Sequence, residues 1–268
     1  MKIATTIKEV REAVAAWKKD GLTVGLPHDL YSYAMFLYQN EGSFYTPDFK
    51  KTNLNSNTAI DSFIQLTEFF SLYGLPPTFD FANRFRSGEM PCAVQDYTQY
   101  NQLTVFAPEI KGLWGMLPVP GTVREDGTVS HAAPSTVTGA ALMASAPDQK
   151  AGWEFLKWWT SAEIQSSYGR DLESVVGSAA RYNTANQEAL NSVQWDYGIK
   201  QQIKAQAAEA LAVPEAPGGY FTSRQFDFAF RNIAFYGDNT RTALEEAAQA
   251  INKELSKKQK EFGLTVGT

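Results

Sequence analysis

A helix-rich α/β fold is predicted for this chain by three observations. Several stretches carry apolar residues at three- and four-residue spacing between recognisable start and stop signals. The apolar runs suited to strands are short and lie between those stretches. With 44% hydrophobic and 20% charged residues over 268 positions, the chain has the composition of a protein that buries a core. One large domain and two lobes sharing a core are both compatible with that length.

Along the chain, Ile7, Val10, Val14 and Trp17 recur at helical spacing and Gly21 stops them, which predicts an amphipathic helix over 7–20. Residues 22–26 read as a short buried strand. Residues 31–40 are apolar and uninterrupted, a helix ending at Gly42, and Ile60, Phe63, Thr67 and Phe70 mark a longer helix stopped by Gly74, Pro76 and Pro77. Residues 91–97 look like a strand feeding a helix near Tyr97, and 113–119 form a second apolar run closed by Pro120 and Gly121. Val123 and Val129 flank Asp126 and Gly127, a two-residue hairpin signal.

In the second half, 137–145 is small, apolar and tolerant of a strand. Pro147 and Asp148 then open a helix with Ala151, Phe155, Trp158 and Trp159 on one face; Trp153 lies off that stripe, so cover on two sides is expected. Thr160 and Glu163 fit a capping box for a short helix ended by Gly169. Helices follow over 186–211 and 221–236. In the last helix Thr242 and Glu245 fit another capping box, Leu244, Ala248, Ile251 and Leu255 repeat at helical spacing, and the lysine-rich end over 253–260 is a solvated face.

Composition and motifs exclude several classes. A net charge of -5 offers no basic field for nucleic acid or anionic membrane surfaces. His28 and His131 stand far apart, without the ligand spacing of a metal site, and no phosphate-binding loop, dinucleotide glycine motif or nucleophile elbow is present, so no metal or cofactor is expected. The single cysteine, Cys92, follows Pro91 in an apolar run and reads as a buried, inert thiol. No apolar run approaches the roughly 18 residues of a membrane helix. Two carboxylates placed for glycoside hydrolysis stay open among 29 acidic residues, because such a pair is defined by separation in space. Aromatic residues make up 13% of the chain and suit both a thick core and stacking on sugar faces.

Several segments, read in order, resemble the later part of the family 1 extracellular solute-binding proteins of ABC importers, the maltose-binding type. FRSGEMPCAV over 85–94 looks like that family's F-x-x-G-x-x-A-M approach to a strand, followed at Asp96 and Tyr97 by a ligand-facing loop. WEFLKWWTSAEIQ over 153–165 is similar to its A-x-x-F-l-k-w-l-t-s-x-e-x-Q helix pair, the strongest single match. GSAAR over 177–181 sits where the family has a Gly-x-x-Pro-x-Arg turn, but lacks the proline. Segments over 83–91, 97–103 and 107–114 look closer still to the long solute-binding lipoproteins of Paenibacillus-like Gram-positive bacteria.

The resemblance implies a periplasmic-binding-protein-like fold of type II in which 1–138 and 186–268 build the second lobe and 139–185 returns to the first. The family's preceding βαβ-rich lobe is absent, so the chain is expected to be a fragment, C-terminal part only. It implies non-catalytic binding of a carbohydrate, closure about a hinge, and delivery to the membrane subunits of an ABC importer by an extracellular, lipid-anchored parent, although this chain carries no signal. Polysaccharide hydrolysis and a carbohydrate-binding module without transport are the other readings.

Matching positions implies Asp29, Tyr31, Asp96, Tyr97, Tyr100, Trp114, Arg181, Tyr220 and Arg224 as ligand-binding residues, with Pro118, Pro120, Ser135 and Thr136 at a hinge. Each aromatic could instead pack a core, Asp29 and Asp96 could be helix N-caps, and Arg224 could form a surface ion pair. An uncovered face around Trp153, Trp158 and Trp159 would drive self-association.

Overall fold

The computed structural model describes residues 4–264. Its helices are α1 (Ile7–Trp17), α2 (Leu30–Gln39), α3 (Asn57–Ser71), α4 (Phe81–Arg86), α5 (Gln99–Phe106), α6 (Gln149–Trp159), α7 (Ala162–Val176), α8 (Gln187–Ser192), α9 (Tyr197–Ala208), α10 (Tyr220–Tyr236) and α11 (Thr240–Glu261). The strands are short: β1 (Val24–Gly25) pairs in parallel with β2 (Cys92–Ala93), β3 (Thr122–Val123) antiparallel with β4 (Val129–Ser130), and β5 (Ala133–Ser135) in parallel with β6 (Ala210–Ala212). The helix-rich α/β expectation holds. Among the described residues no helix is long and apolar enough to cross a membrane.

Contacts divide the chain into two compact units. The first comprises the described residues up to Gln95, Pro118–Ser135 and the described residues from Ala205 onward; the second comprises Asp96–Leu117 and Thr136–Lys204. Against the sequence-based boundaries at 138 and 185, contacts group 96–117 and 186–204 with the middle segment.

In the first unit the core sits around α2. From Ser32 to Gln39 every residue of this helix is buried, as expected of a helix apolar on all sides. Around it α3, α10 and α11 supply Phe63, Leu66, Phe226, Phe230, Leu244 and Ile251. Buried Gln39 is fully engaged: its Nε2 donates to the carbonyls of Pro120 (3.0 Å) and Ala132 (3.2 Å), and its Oε1 accepts from Thr122 Oγ1 (2.8 Å). Gly25 permits the β1–β2 pairing, because a Cβ there would stand 2.7 Å from the Ala93 side chain. The second unit is helical among the described residues.

Several local expectations change. The strands expected over 22–26 and 91–97 shrink to Val24–Gly25 and Cys92–Ala93, and 137–145 forms no strand, since it finds no ladder to join. The β3–β4 turn is longer than two residues: Arg124 N–H donates to the Thr128 carbonyl, and Gly127 takes φ 84°. The first helix keeps a reciprocal cap between Thr6 and Glu9 but tightens into a 3-10 turn at Lys18–Asp20. Ser161, not Thr160, caps α7; the Thr160 hydroxyl instead donates back to the Leu156 carbonyl at 2.8 Å. Gly169 does not stop α7; it lies buried inside the helix beside Tyr182, and the helix ends at Gly177. The helix expected over 186–211 breaks at 193–196, where Val193 and Trp195 turn into a small core. Asn239 caps α11 three residues earlier than Thr242. Leu244, Ala248, Ile251 and Leu255 are buried as the spacing requires.

Two burial expectations are also corrected. The expected cover over α6 is missing: Trp153, Phe155 and Trp158 are 55%, 57% and 51% exposed. Cys92 reaches the surface rather than being buried. Its sulfur is nonetheless surrounded by enough protein that desolvation pushes the thiol up to about 11. Iodoacetamide should therefore modify Cys92 at pH 8 about a hundredfold more slowly than an ordinary thiol. The rate should climb with pH until about 11, as the thiolate forms, and intact-mass kinetics would read it.

Candidate functional site

In the first unit three of the nine residues implied as ligand-binding meet at one cavity. Asp29, Tyr31 and Tyr220 line a hollow of about 190 Å³ together with Phe44, Tyr45, Val213, Pro214, Glu215, Thr222 and Ser223. Local structure explains how each arrives. Asp29 caps α2, with its Oδ1 accepting from Ser32 N–H at 2.8 Å, so the N-cap reading is correct and its side chain stands at the cavity as well. Tyr31 follows on the first turn and is 44% exposed, the one outward ring at the start of a buried helix. Tyr220 opens α10, and its hydroxyl donates to Glu254 Oε1 at 2.6 Å, which raises the phenol above its ordinary value.

The cavity floor is polar. Tyr45 Oη and Thr222 Oγ1 lie 2.7 Å apart, both residues buried, and burial is the main cause that raises the Tyr45 phenol, with Glu215 adding a smaller repulsion. A cavity that combines outward rings, hydroxyls and two carboxylates suits a ligand with apolar C–H faces and many hydroxyl groups. Arg224, one turn into α10, is exposed and does not line the cavity; its guanidinium lies 5.8 Å from the centroid of Phe221.

Four more implied residues gather in the second unit. Tyr100 packs against Trp114 (5.3 Å between centroids) and Trp195 (5.4 Å), and Tyr97 packs against Trp195 (5.8 Å). Arg181 stacks over the Trp195 ring at 4.9 Å and forms an ion pair with Glu173, Nη2 to Oε1 at 2.7 Å. Burial, reinforced by the Asp96 charge, pushes the Tyr97 phenol up to about 12. Asp96 is exposed and does not cap α5; its Oδ1 accepts from Thr98 N–H at 2.8 Å in a local turn.

At the implied hinge, Pro118 and Ser135 are the first and last residues of a segment of the first unit, and Thr136 begins a segment of the second. Pro120 lies inside that first-unit segment, its carbonyl held by Gln39. Residue-by-residue matching missed Tyr45, Thr222, Glu215 and Trp195. A lone Trp between polar neighbours in SVQWDYG was the available signal for the last; nothing local marked the other three.

No family model matches the chain, and no curated protein matches it. Solved structures do. The sugar-binding protein MalE from the phytopathogen Xanthomonas citri superposes with a TM-score of 0.76 at 14% identity, over 99% of this chain and 67% of that one. The cyclic alpha-maltosyl-1,6-maltose binding protein of Arthrobacter globiformis gives 0.70 at 16% identity, over 96% and 66%. The maltose-binding periplasmic protein MalE of Listeria monocytogenes, solved with maltose, gives 0.70 at 14% identity, over 96% and 68%. The chain has the periplasmic-binding-protein-like fold of ABC-transporter solute-binding proteins. It spans about two thirds of the length of these structures.

Proposed function

We propose that this chain forms a carbohydrate-binding part of an ABC-importer solute receptor and acts by binding, without catalysis. The observation that carries the proposal is the cavity of the first unit. Asp29, Tyr31 and Tyr220, the last 189 positions from Tyr31 by sequence numbering, converge there on a chain whose fold is that of sugar receptors. Tyr97, Tyr100 and Trp114 supply a second set of rings for sugar faces, with Asp96 as a polar contact; Arg224 is a separate polar contact of the first unit. Pro118, Pro120, Ser135 and Thr136 act in closure rather than contact.

The complete receptor is read as an extracellular lipoprotein related to those of Paenibacillus-like bacteria. This chain would supply its second lobe through 1–138 and 186–268 and a return to the first lobe through 139–185, and the receptor would hand ligand to the importer's membrane subunits.

A thermal-shift and calorimetric series with maltose, maltotetraose and other neutral oligosaccharides tests this. Binding to the folded state alone stabilises by mass action, about 2.7 kcal/mol at a hundredfold excess over Kd. A raised unfolding midpoint with the sugar recovered intact is expected. A flat response across the series would sink the reading, and release of reducing ends would replace it with hydrolysis.

Self-association of the chain is expected through α6, where Phe155 and Trp158 form an exposed aromatic pair and Trp153 is exposed on another side. Light scattering should give a mass that rises with concentration, and Phe155→Ser with Trp158→Ser should return it to 29.7 kDa. A monomer at every concentration would remove this expectation.

A further inference from the structure

We propose that Trp195 is a positioning residue that sets the Tyr97 and Tyr100 rings, and that Glu173 and Arg181 act on ligand binding through Trp195 rather than by touching ligand. The inference rests on the reading that Tyr97 and Tyr100 meet sugar.

Trp195 lies in the break between α8 and α9, so packing rather than helical geometry fixes it. It is 8% exposed and contacts both tyrosines. Arg181 also lies over the indole, its guanidinium carbon 4.9 Å from the ring centroid, a cation–π contact.

Arg181 is in turn fixed on two sides. Its Nε and Nη2 both donate to Glu173 of α7, and its Nη1 reaches Asn101 Oδ1 at 3.4 Å. Asn101 is buried and follows Tyr100 directly on α5. With a side chain only 11% exposed and all three of its nitrogens engaged, Arg181 is placed to clamp rather than to offer a free fork to a ligand.

One feature argues against packing stability as the whole reason for this residue. The indole Nε1–H of Trp195 is buried without a hydrogen-bond partner, an unfavourable arrangement that a phenyl ring would avoid. A purely structural site would be served as well by Phe. The larger indole is what spans Tyr97, Tyr100 and Arg181 at once.

The test uses the full chain labelled with 3-fluorotyrosine, with the Tyr97 and Tyr100 resonances assigned through Tyr→Phe variants. Trp195→Phe should leave the unfolding midpoint unchanged or raised, shift both resonances, and weaken maltotetraose binding on the order of tenfold. Glu173→Gln and Arg181→Lys should move the same two resonances in the same direction, and they carry the test should Trp195→Phe fail to fold. Unmoved resonances overturn the proposal, as does an affinity loss with both resonances in place, which would mean direct contact. Moved resonances in a chain that binds no sugar support the positioning link and count against the sugar reading instead.

Discussion

Alanine at Phe230 is expected to destabilise the protein by about 3–5 kcal/mol, the range for emptying a buried phenyl site. Phe230 has no exposed surface. Its ring stacks on His28 at 4.9 Å and on Phe226 at 6.3 Å and meets Phe70 edge-on at 5.1 Å, so removing it strips contacts from the loop before α2, from α3 and from within α10 itself. Total stabilities of about 5–15 kcal/mol leave little after such a loss. A urea titration followed by far-UV circular dichroism should show the midpoint of the first unit fall steeply. Phe228, two residues earlier on the same helix, is 53% exposed and serves as control: alanine there should change stability by no more than about 0.5 kcal/mol. Equal effects at the two positions would contradict the orientation of α10.

The second large effect concerns binding with the fold kept intact. Asp29→Asn should weaken a bound neutral oligosaccharide by roughly ten- to a hundredfold, the loss of one charge-assisted hydrogen bond of about 1.5–3 kcal/mol. The choice of Asn isolates the effect. Asn caps a helix as well as Asp does, so the Ser32 N–H keeps its acceptor and α2 its start. Tyr31→Ala should weaken the same ligand roughly five- to thirtyfold by removing a stacking face. At 44% exposure the ring contributes little to the core, so the unfolding midpoint should hold. Calorimetry with maltotetraose, beside thermal unfolding without ligand, separates the two quantities. Full affinity in Asp29→Asn would leave Asp29 as a cap alone.

Those substitutions show how much of the candidate site was legible. Asp29 and Tyr31 adjoin one helix start, so a local pattern could place them together. Tyr220 joins them through the packing of α10 against α2, a contact between distant parts of the chain that no local spacing encodes. Tyr45 and Thr222 are ordinary polar residues in sequence and become a cavity floor when a hydrogen bond joins positions 177 apart. Arg181 shows the converse: its type suggested a ligand contact, while the fold engages all three of its nitrogens with Glu173 and Asn101.

By itself the sequence determined the fold class and the core faces of helices such as α3 and α11. Apolar spacing and caps act within a few residues, and burying a periodic stripe admits few solutions. Leu244, Ala248, Ile251 and Leu255 are buried because their spacing left one face to bury. Tertiary structure decided the rest. Strand extent depends on finding a partner, so 22–26 narrowed to two residues and 137–145 stayed unpaired. The helix α7 runs through Gly169 and stops only at Gly177, where the backbone takes φ 93°. Whether an aromatic ring packs inward, as Phe230 does, or faces outward, as Tyr31 does, was decided by neighbours remote in sequence, because burial is a property of the assembled core.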